Sequence, residues 1–160
     1  MSHQPNSTLN PAGSTFEWTG FGAVPAVLGA DAGTPGRVTR QADGRVLAMH
    51  YAPRRWLLPA PDAALLKALG FASGDGVLTE VSGKWRELVV AGAASPVEPV
   101  HPLRLSFDCD RVLGGRDCAA LTLLDCPVIA VRDGRDLSLW FEASFEASLV
   151  TAVARYGVSI

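Results

Sequence analysis

The C-terminal third of the chain carries a pattern that few folds can accommodate. Residues 117–124 and 126–131 are strand-like, Asp133-Gly134-Arg135 is a turn signal, and residues 136–142 place Leu137, Leu139 and Phe141 on one face. Short connections between successive strands are typical of antiparallel pairing. This part of the sequence therefore predicts neighbouring antiparallel strands.

A helix is predicted to follow these strands. Ser144 is a suitable N-terminal cap, residues 145–156 carry an apolar stripe at helical spacing, and Gly157 is suited to end the helix. A second, shorter helix is predicted after Asp62, with Gly70 as the residue that closes it.

The remaining regular segments are strand-like. Strands are predicted at residues 37–41, 45–51, 56–58, 76–82 and 85–91. The last two are expected to form a hairpin across Gly83-Lys84. The predicted fold class is α+β, with a mainly antiparallel sheet and a few packed helices.

The first 36 residues lack such a pattern. Residues 1–14 are polar and predict a disordered arm, and residues 15–36 predict an irregular lead that contains aromatic residues among many glycines and prolines. Residues 37–160 are expected to form a single α+β domain.

The charge balance argues against several classes of partner. The net charge is −2, from 14 Lys+Arg and 16 Asp+Glu, and the arginines are scattered, so nucleic-acid binding is not expected. No secretory signal or membrane span is recognised, which predicts a cytoplasmic protein. Hydrophobic residues reach 48% and charged residues only 19%. Either an alanine-rich composition or an apolar surface that meets a partner accounts for this balance.

The sequence offers no convincing active site. Cys109, Cys118 and Cys126 form no C-x-x-C pair, and His50 and His101 lie at no recognisable zinc-ligand spacing, so neither a catalytic residue nor a metal site is assigned. Asp108 and Asp110 flank Cys109, an arrangement that we interpret as a solvated loop rather than a cation site.

One short segment has the composition of an interface. Arg54 and Arg55 precede Trp56, and Trp–Arg neighbours are enriched among residues that dominate binding energy at protein interfaces. Each tryptophan taken alone is also an ordinary core residue. Arg54, Arg55 and Trp56, together with the N-terminal arm, are therefore predicted as a docking surface.

Several segments together resemble the gamma subunit of heterotetrameric sarcosine oxidase and its relatives. The segments are Pro53-Arg54-Arg55-Trp56-Leu57-Leu58, Thr79-Glu80-Val81-Ser82-Gly83-Lys84-Trp85, and a third that runs from Gly115-Arg116-Asp117-Cys118 through Pro127-Val128-Ile129 to Ser144-Phe145-Glu146-Ala147. The resemblance covers about residues 50–156. It departs from the family at the stretch that contains Pro96, Pro99 and Pro102.

The resemblance implies a fold like a reduced folate-binding barrel of the aminomethyltransferases. It implies a non-catalytic small subunit of a flavin-dependent, amine-oxidising complex that carries out oxidative demethylation with larger flavoprotein subunits. The complex would use FAD, FMN, NAD and tetrahydrofolate, with none bound by this chain alone. No catalytic residue of the family is carried over to this chain.

Two other functions stay open from the sequence. A stand-alone folate-binding protein of the aminomethyltransferase type would need a carboxylate and an aromatic residue around the pteridine ring, which Glu142, Asp125 and Trp140 could supply. A simple protein-interaction domain is the third.

Overall fold

The computed structural model describes residues 7–11, 13–29, 34–95, 97 and 100–160. The strands are β1 (Thr8–Pro11), β2 (Thr15–Gly20), β3 (Val38–Arg40), β4 (Val46–Ala52), β5 (Arg55–Pro59), β6 (Gly76–Glu80), β7 (Trp85–Val90), β8 (Cys118–Leu123), β9 (Cys126–Asp133) and β10 (Asp136–Glu142). The α-helices are α1 (Ala63–Phe71), α2 (Cys109–Leu113) and α3 (Glu146–Ala154). Single turns of 3-10 helix occur at Ala26–Leu28, Pro102–Leu105 and Ala143–Phe145. The α+β class is confirmed.

The chain divides into two compact units. The described residues of unit 1 come from Met1–Pro11, Trp85–Gly115 and Ala120–Ile160, and those of unit 2 come from Ala12–Lys84 and Arg116–Ala119. The prediction placed one domain over residues 37–160. The observed division differs because each unit is formed by segments that are separated in the sequence. A prediction of continuous domains along the chain does not detect such a division.

Unit 1 is built on a five-stranded sheet with the strand order β1-β7-β10-β9-β8. Strand β7 pairs in antiparallel fashion with both β1 and β10, so Leu88 lies opposite Leu9 on one side and Leu139 on the other. Leu88 and Leu139 are fully buried, and helix α3 buries Leu149 and Val153. The alternating pattern of β10 therefore supplies core residues, as predicted.

Unit 2 is built on a second five-stranded sheet, in the order β3-β4-β5-β2-β6. The pairings of β2 with β5 and β6, and of β4 with β3 and β5, are antiparallel. Its apolar core joins the sheet residues Trp18, Trp56 and Leu58 to Leu65 and Leu69 of α1. Helix α1 begins as predicted, since an Asp62 carboxylate oxygen accepts a hydrogen bond from the Leu65 N–H at 2.8 Å.

The predicted hairpin across Gly83-Lys84 is wrong, although both of its strands exist. Strand β6 pairs with β2, whereas β7 pairs with β1 and β10 in the other sheet. Just beyond β6, the Val81 N–H donates to the Thr15 carbonyl at 2.8 Å, which continues the pairing with β2. Sequence proximity favoured the hairpin, but the residue alternation of a strand does not specify its partner.

The predictions for the first 36 residues also need correction. Strand β1 lies within the predicted disordered arm, where β7 provides its pairing partner, and β2 lies within the predicted irregular lead. Phe16 and Trp18 alternate with polar residues along β2, a short period-two pattern that the surrounding glycines obscured. Residues 1–6, 12 and 30–33 of these two segments lie outside the described residues.

Three helix boundaries differ from the predictions. Gly70 lies inside α1, which ends at Phe71. Gly70 does not adopt a left-handed backbone, so it does not close the helix. Ser144 belongs to a 3-10 turn, and α3 starts at Glu146 without a side-chain cap. Asp108 caps α2 by accepting hydrogen bonds from the N–H groups of Asp110 and Arg111, where the sequence indicated a loop.

We expect Gly76→Ala to destabilise the protein. A Cβ at this position would overlap the Cζ2 atom of buried Trp18 and would lie 2.8 Å from the Thr19 carbonyl oxygen, so that either the ring or the strand must shift. Overpacking of this kind costs about 1–3 kcal/mol.

Gly70→Ala is the matched control, because nothing lies within 4 Å of the added Cβ and the residue is helical. It should stabilise the protein by about 0.5–1 kcal/mol. Urea denaturation followed by circular dichroism measures both effects. Equal stabilities of the two variants would contradict the packing described at Trp18.

Candidate functional site: an aromatic cavity in unit 2

Three aromatic rings form a row across the sheet of unit 2. His50 of β4 lies opposite Trp56 of β5, and Trp56 lies opposite Trp18 of β2. The rings of His50 and Trp56 are stacked, with centroids 4.1 Å apart and planes at 13°. Cross-strand neighbours share one face of a sheet, so the pairing of three strands brings these rings together.

All three rings are buried, yet their polar atoms are poorly satisfied. Trp18 is 1% exposed, Trp56 2% and His50 3%. The indole nitrogens of Trp18 and Trp56 have no hydrogen-bond partner among the described residues. A buried donor that lacks a partner lowers the free energy of unfolding by about 1–3 kcal/mol. The aromatic row contains two such indole N–H groups.

A cavity of about 150 Å³ lies against these rings. It is lined by Trp18, Gly20, Gly22, Ala23, Val24, His50, Arg54 and Trp56. One wall is aromatic and another is the segment 20–24, which contains two glycines. A Cβ on Gly20 would lie 3.3 Å from Trp56 Cζ3 and 3.5 Å from Trp18 Nε1.

Asp75 holds the glycine-containing wall in place. Its backbone carbonyl accepts hydrogen bonds from the N–H groups of Phe21 and Gly22 at 2.9 and 3.0 Å, and its carboxylate accepts one from the Ala23 N–H at 3.1 Å. The wall is therefore bonded to the turn after α1.

Among the described residues that line the cavity, Arg54 carries the one formal charge, since the His50 side chain is neutral near pH 7. Arg54 adopts a left-handed backbone, with φ at 59°, directly after Pro53 in the turn between β4 and β5. Such a conformation is uncommon for a residue other than glycine, asparagine or aspartate. Its carbonyl accepts a hydrogen bond from the Gly20 N–H at 2.8 Å, which joins this turn to the wall beside Trp18.

Burial lowers the pKa of His50, and weaker backbone interactions with Thr34 and Ala52 oppose part of that shift. The imidazole therefore stays neutral at physiological pH. Neutral His50, the two tryptophans and Arg54 are the residues with polar side-chain groups among the described residues that line the cavity.

The structure separates the predicted interface residues. Arg54 and Arg55 are exposed, and Arg55 lies over the Tyr51 ring at 5.5 Å from its centroid, whereas Trp56 is buried in the aromatic row. The docking surface at this turn thus retains the two arginines, and it stays a prediction. Sequence reasoning noted His50 and Trp56 separately and missed their pairing.

The residues considered for a pteridine pocket are not gathered into one cavity. Trp140 is buried in β10 and Glu142 ends that strand, while Asp125 lies in the turn between β8 and β9. Asp125 lines an open groove with Leu124, Ser148, Thr151 and Arg155, and neither Trp140 nor Glu142 belongs to that groove.

The three cysteines are buried thiols. Burial raises the pKa of Cys109 to about 11 and that of Cys118 to about 12, and it also raises the pKa of Cys126. Cys118 Sγ lies 3.6 Å from the His50 carbonyl oxygen, within unit 2. These groups are thiols at neutral pH, and a thiol is a poor nucleophile.

The described residues contain no group of three or more His, Cys, Asp or Glu side chains that could hold a metal ion. No helix in the same part of the chain is long and apolar enough to cross a membrane.

Solved structures provide the informative comparison. A chain of the heterotetrameric sarcosine oxidase from Corynebacterium sp. U-96, in complex with pyrrole 2-carboxylate, matches with a TM-score of 0.67 at 21% identity, over 100% of this chain and 90% of that one. The regulatory subunit of aspartate kinase from Thermus thermophilus matches at a TM-score of 0.48 and 11% identity, over 94% of this chain and 97% of that one, which is too distant to support an argument. No protein-family model and no curated protein matches the sequence. This chain therefore shares its fold with a chain of the Corynebacterium enzyme.

We expect the three thiols to resist modification in the folded protein. At pH 8 the raised pKa values leave almost no thiolate at Cys109 and Cys118, and burial blocks access. Labelling with a chromogenic disulfide reagent should be at least about a hundredfold slower than in urea, where all three should react. Rapid labelling of one thiol without urea would contradict its burial.

The lowered pKa of His50 should make the protein less stable in acid. The unfolded chain takes up a proton near pH 6.5, whereas folded His50 does so at lower pH, so the free energy of unfolding should fall as the pH drops below about 6.5. His50→Gln should flatten this dependence in urea titrations between pH 7 and 5.

His101→Gln is the companion variant for that experiment, because burial also lowers the pKa of His101. The two variants together apportion the acid-dependent loss between the two sites. An unchanged pH dependence in His50→Gln would show that this histidine is accessible to protons in the folded state.

Proposed function

We propose that this chain is a small, non-catalytic subunit of a flavin-dependent, amine-oxidising hetero-oligomer of the sarcosine oxidase type. The observation that carries the proposal is the shared fold with a chain of the Corynebacterium enzyme, over the whole of this chain and 90% of that one. Coverage this complete in both directions means that the matched chain is of similar length. This chain would therefore take the place of a small component of the assembly.

The exposed apolar residues of unit 2 support a role in binding a partner. Phe71 is 82% exposed at the end of α1, and Phe21 and Val77 are also exposed. Val77 lies on β6, which is an edge strand of its sheet. The turn that follows Phe71 contains Asp75, whose carbonyl accepts a hydrogen bond from the Phe21 N–H. The backbone segments that carry Phe21, Phe71 and Val77 are therefore close in space. Exposed apolar residues grouped in this way are typical of a surface that a partner covers.

The chemistry of the assembly would then belong to its larger subunits. Those subunits would carry FAD, FMN, NAD and tetrahydrofolate in a cytoplasmic complex. The buried thiols with raised pKa values supply no activated nucleophile in this chain, which is consistent with such a division of labour.

Co-expression tests the proposal. We expect the tagged chain to retain large flavoprotein subunits encoded beside its gene, in a fixed stoichiometry and with bound flavin visible by absorbance. Purification of the chain alone from cells that contain those subunits would contradict the proposal. Saturable binding of tetrahydrofolate by the isolated chain would favour a stand-alone folate-binding protein.

A pair of valine variants tests the proposed surface. Val77→Lys places a charge on the exposed side of β6 and should reduce co-purification of the large subunits by about tenfold or more. Val112→Lys is the control, since Val112 is also an exposed valine but belongs to unit 1. Equal retention by both variants would exclude the β6 edge as the docking surface.

A further inference from the structure

Strand β6 leaves one edge of the sheet of unit 2 open. We propose that β6 accepts an extended strand of a large flavoprotein subunit as an added strand of that sheet, and that this strand carries a lysine or arginine beside Glu80. The inference rests on the proposed function and adds how the partner is held, namely by backbone hydrogen bonds along residues 78–80.

The hydrogen bonds to β2 fix which backbone groups of β6 point to the open edge. The Phe21 N–H donates to the Asp75 carbonyl, and the Val81 N–H donates to the Thr15 carbonyl. Strands β2 and β6 are antiparallel and pair without a register shift, so the odd-numbered residues of β6 bond to β2. The N–H and C=O groups of the even-numbered residues therefore point away from β2.

These outward groups lack partners where the strand is accessible. Gly76 is buried beside the Trp18 ring, whereas Leu78 is half-buried and Glu80 is exposed. The backbone N–H and C=O groups of Leu78 and Glu80 have no hydrogen-bond partner among the described residues. An incoming strand would find two donors and two acceptors here, at the two-residue spacing of a sheet ladder.

The opposite edge of the same sheet, strand β3, is protected. It has three residues, and its register against β4 shifts between Thr39 and Arg40. The Val38 N–H donates to an Asp117 carboxylate oxygen at 3.2 Å, and the Thr39 hydroxyl donates to the Leu28 carbonyl at 2.6 Å. Short length, bulges and basic residues prevent strand addition at sheet edges. Strand β6 has five residues in continuous register, with no lysine, arginine or proline, so its edge is left available.

The edge of β6 is continuous with the proposed docking surface. Val77 is 54% exposed, and the turn between Phe71 and β6 contains Asp75, which binds the Phe21 N–H. An added strand would therefore cover part of the Val77 side chain while its backbone pairs with β6. In such complexes the main-chain hydrogen bonds supply affinity and the side-chain contacts supply selectivity.

The charge of Glu80 argues against a second copy of β6 as the occupant. Two copies could pair in antiparallel fashion through their exposed groups at Leu78 and Glu80. Those registers place the two Glu80 side chains on one face, either directly opposite or diagonal to each other, and like charges so placed are destabilising. The register that avoids this requires the buried backbone of Gly76.

A basic residue in the incoming strand would give Glu80 the cation that this chain does not provide. Glu80 accepts a hydrogen bond from the Ser82 hydroxyl at 2.9 Å and forms no ion pair among the described residues. Glu17, on the other face of the sheet, already lies 3.9 Å from Lys84 Nζ and 4.0 Å from Arg55 Nη2. Opposite charges on neighbouring strands stabilise their pairing, so the open position beside Glu80 favours lysine or arginine.

Hydrogen exchange tests the pairing residue by residue, in the free full-length chain and in its complex with co-expressed large subunits. We expect the Leu78 and Glu80 amides to exchange at least about a hundredfold more slowly in the complex. The Thr79 amide is the internal control, because it is bonded to β2 in both states. Unchanged exchange at Leu78 and Glu80 in a complex that does form would overturn strand addition and leave the subunit role intact. Absence of any complex would overturn both.

Two substitutions at Glu80 separate charge from backbone. Glu80→Gln keeps the N–H and should weaken association by about twofold to fivefold. Glu80→Pro also removes the outward N–H, which β2 does not use, and should bind about tenfold more weakly than Glu80→Gln. Displacement of the labelled parent chain from the complex measures both affinities, and thermal unfolding of the free variants checks their folding.

Each comparison can contradict one part of the proposal. Equal affinities of Glu80→Gln and Glu80→Pro would exclude backbone pairing at this edge, and equal affinities of Glu80→Gln and the parent would exclude the basic residue. A dimer of the free chain that Glu80→Pro dissociates would identify a second copy as the occupant and overturn the choice of partner. If Glu80→Pro does not fold, hydrogen exchange in the parent complex still decides the pairing.

Discussion

The packing of aromatic side chains across β4, β5 and β2 is the interaction on which unit 2 depends. It fixes the register of three strands at once, since His50, Trp56 and Trp18 must lie opposite one another for the rings to pack. A slip of one residue in β5 would turn Trp56 to the other face and leave the core of α1 and the sheet without one of its two tryptophans. The same row forces Gly76 on β6, because only a residue without a Cβ fits beside the Trp18 ring.

This arrangement carries a polar cost that an all-aliphatic core would avoid. Two indole N–H groups and an imidazole are buried where the described residues provide them with little hydrogen bonding. A row of leucine side chains would fill the same space without burying unpaired N–H groups. The rest of this core does contain leucines, namely Leu28, Leu58, Leu65 and Leu69. Unsatisfied buried donors next to a cavity and a strained arginine are features that cluster at binding sites. The aromatic row therefore places unpaired polar groups in the core of unit 2, beside its cavity.

Sequence reasoning succeeded wherever the signal was local. The strands β4 and β5, the Asp62 cap of α1 and the strands β8, β9 and β10 follow from alternation, capping and turn residues within a few positions. It failed where the partner was remote. Strand β6 pairs with β2, which precedes it by some sixty residues, and β1 pairs with β7 over a still longer separation. Pairing over such distances is decided by which apolar faces can be buried together, and no residue pattern in either strand records that choice.

The sequence by itself determined the α+β class, the antiparallel character and the short strands, because these depend on periodicity and on the residues at turns. It also contained half of the site, since the short turn at Pro53-Arg54 places His50 opposite Trp56. Only the tertiary structure decided that Trp18 completes the row and that the segment 20–24 encloses a cavity. The physical reason is that β2 and β5 pair through space, and a cavity is the volume that remains after every side chain has been packed.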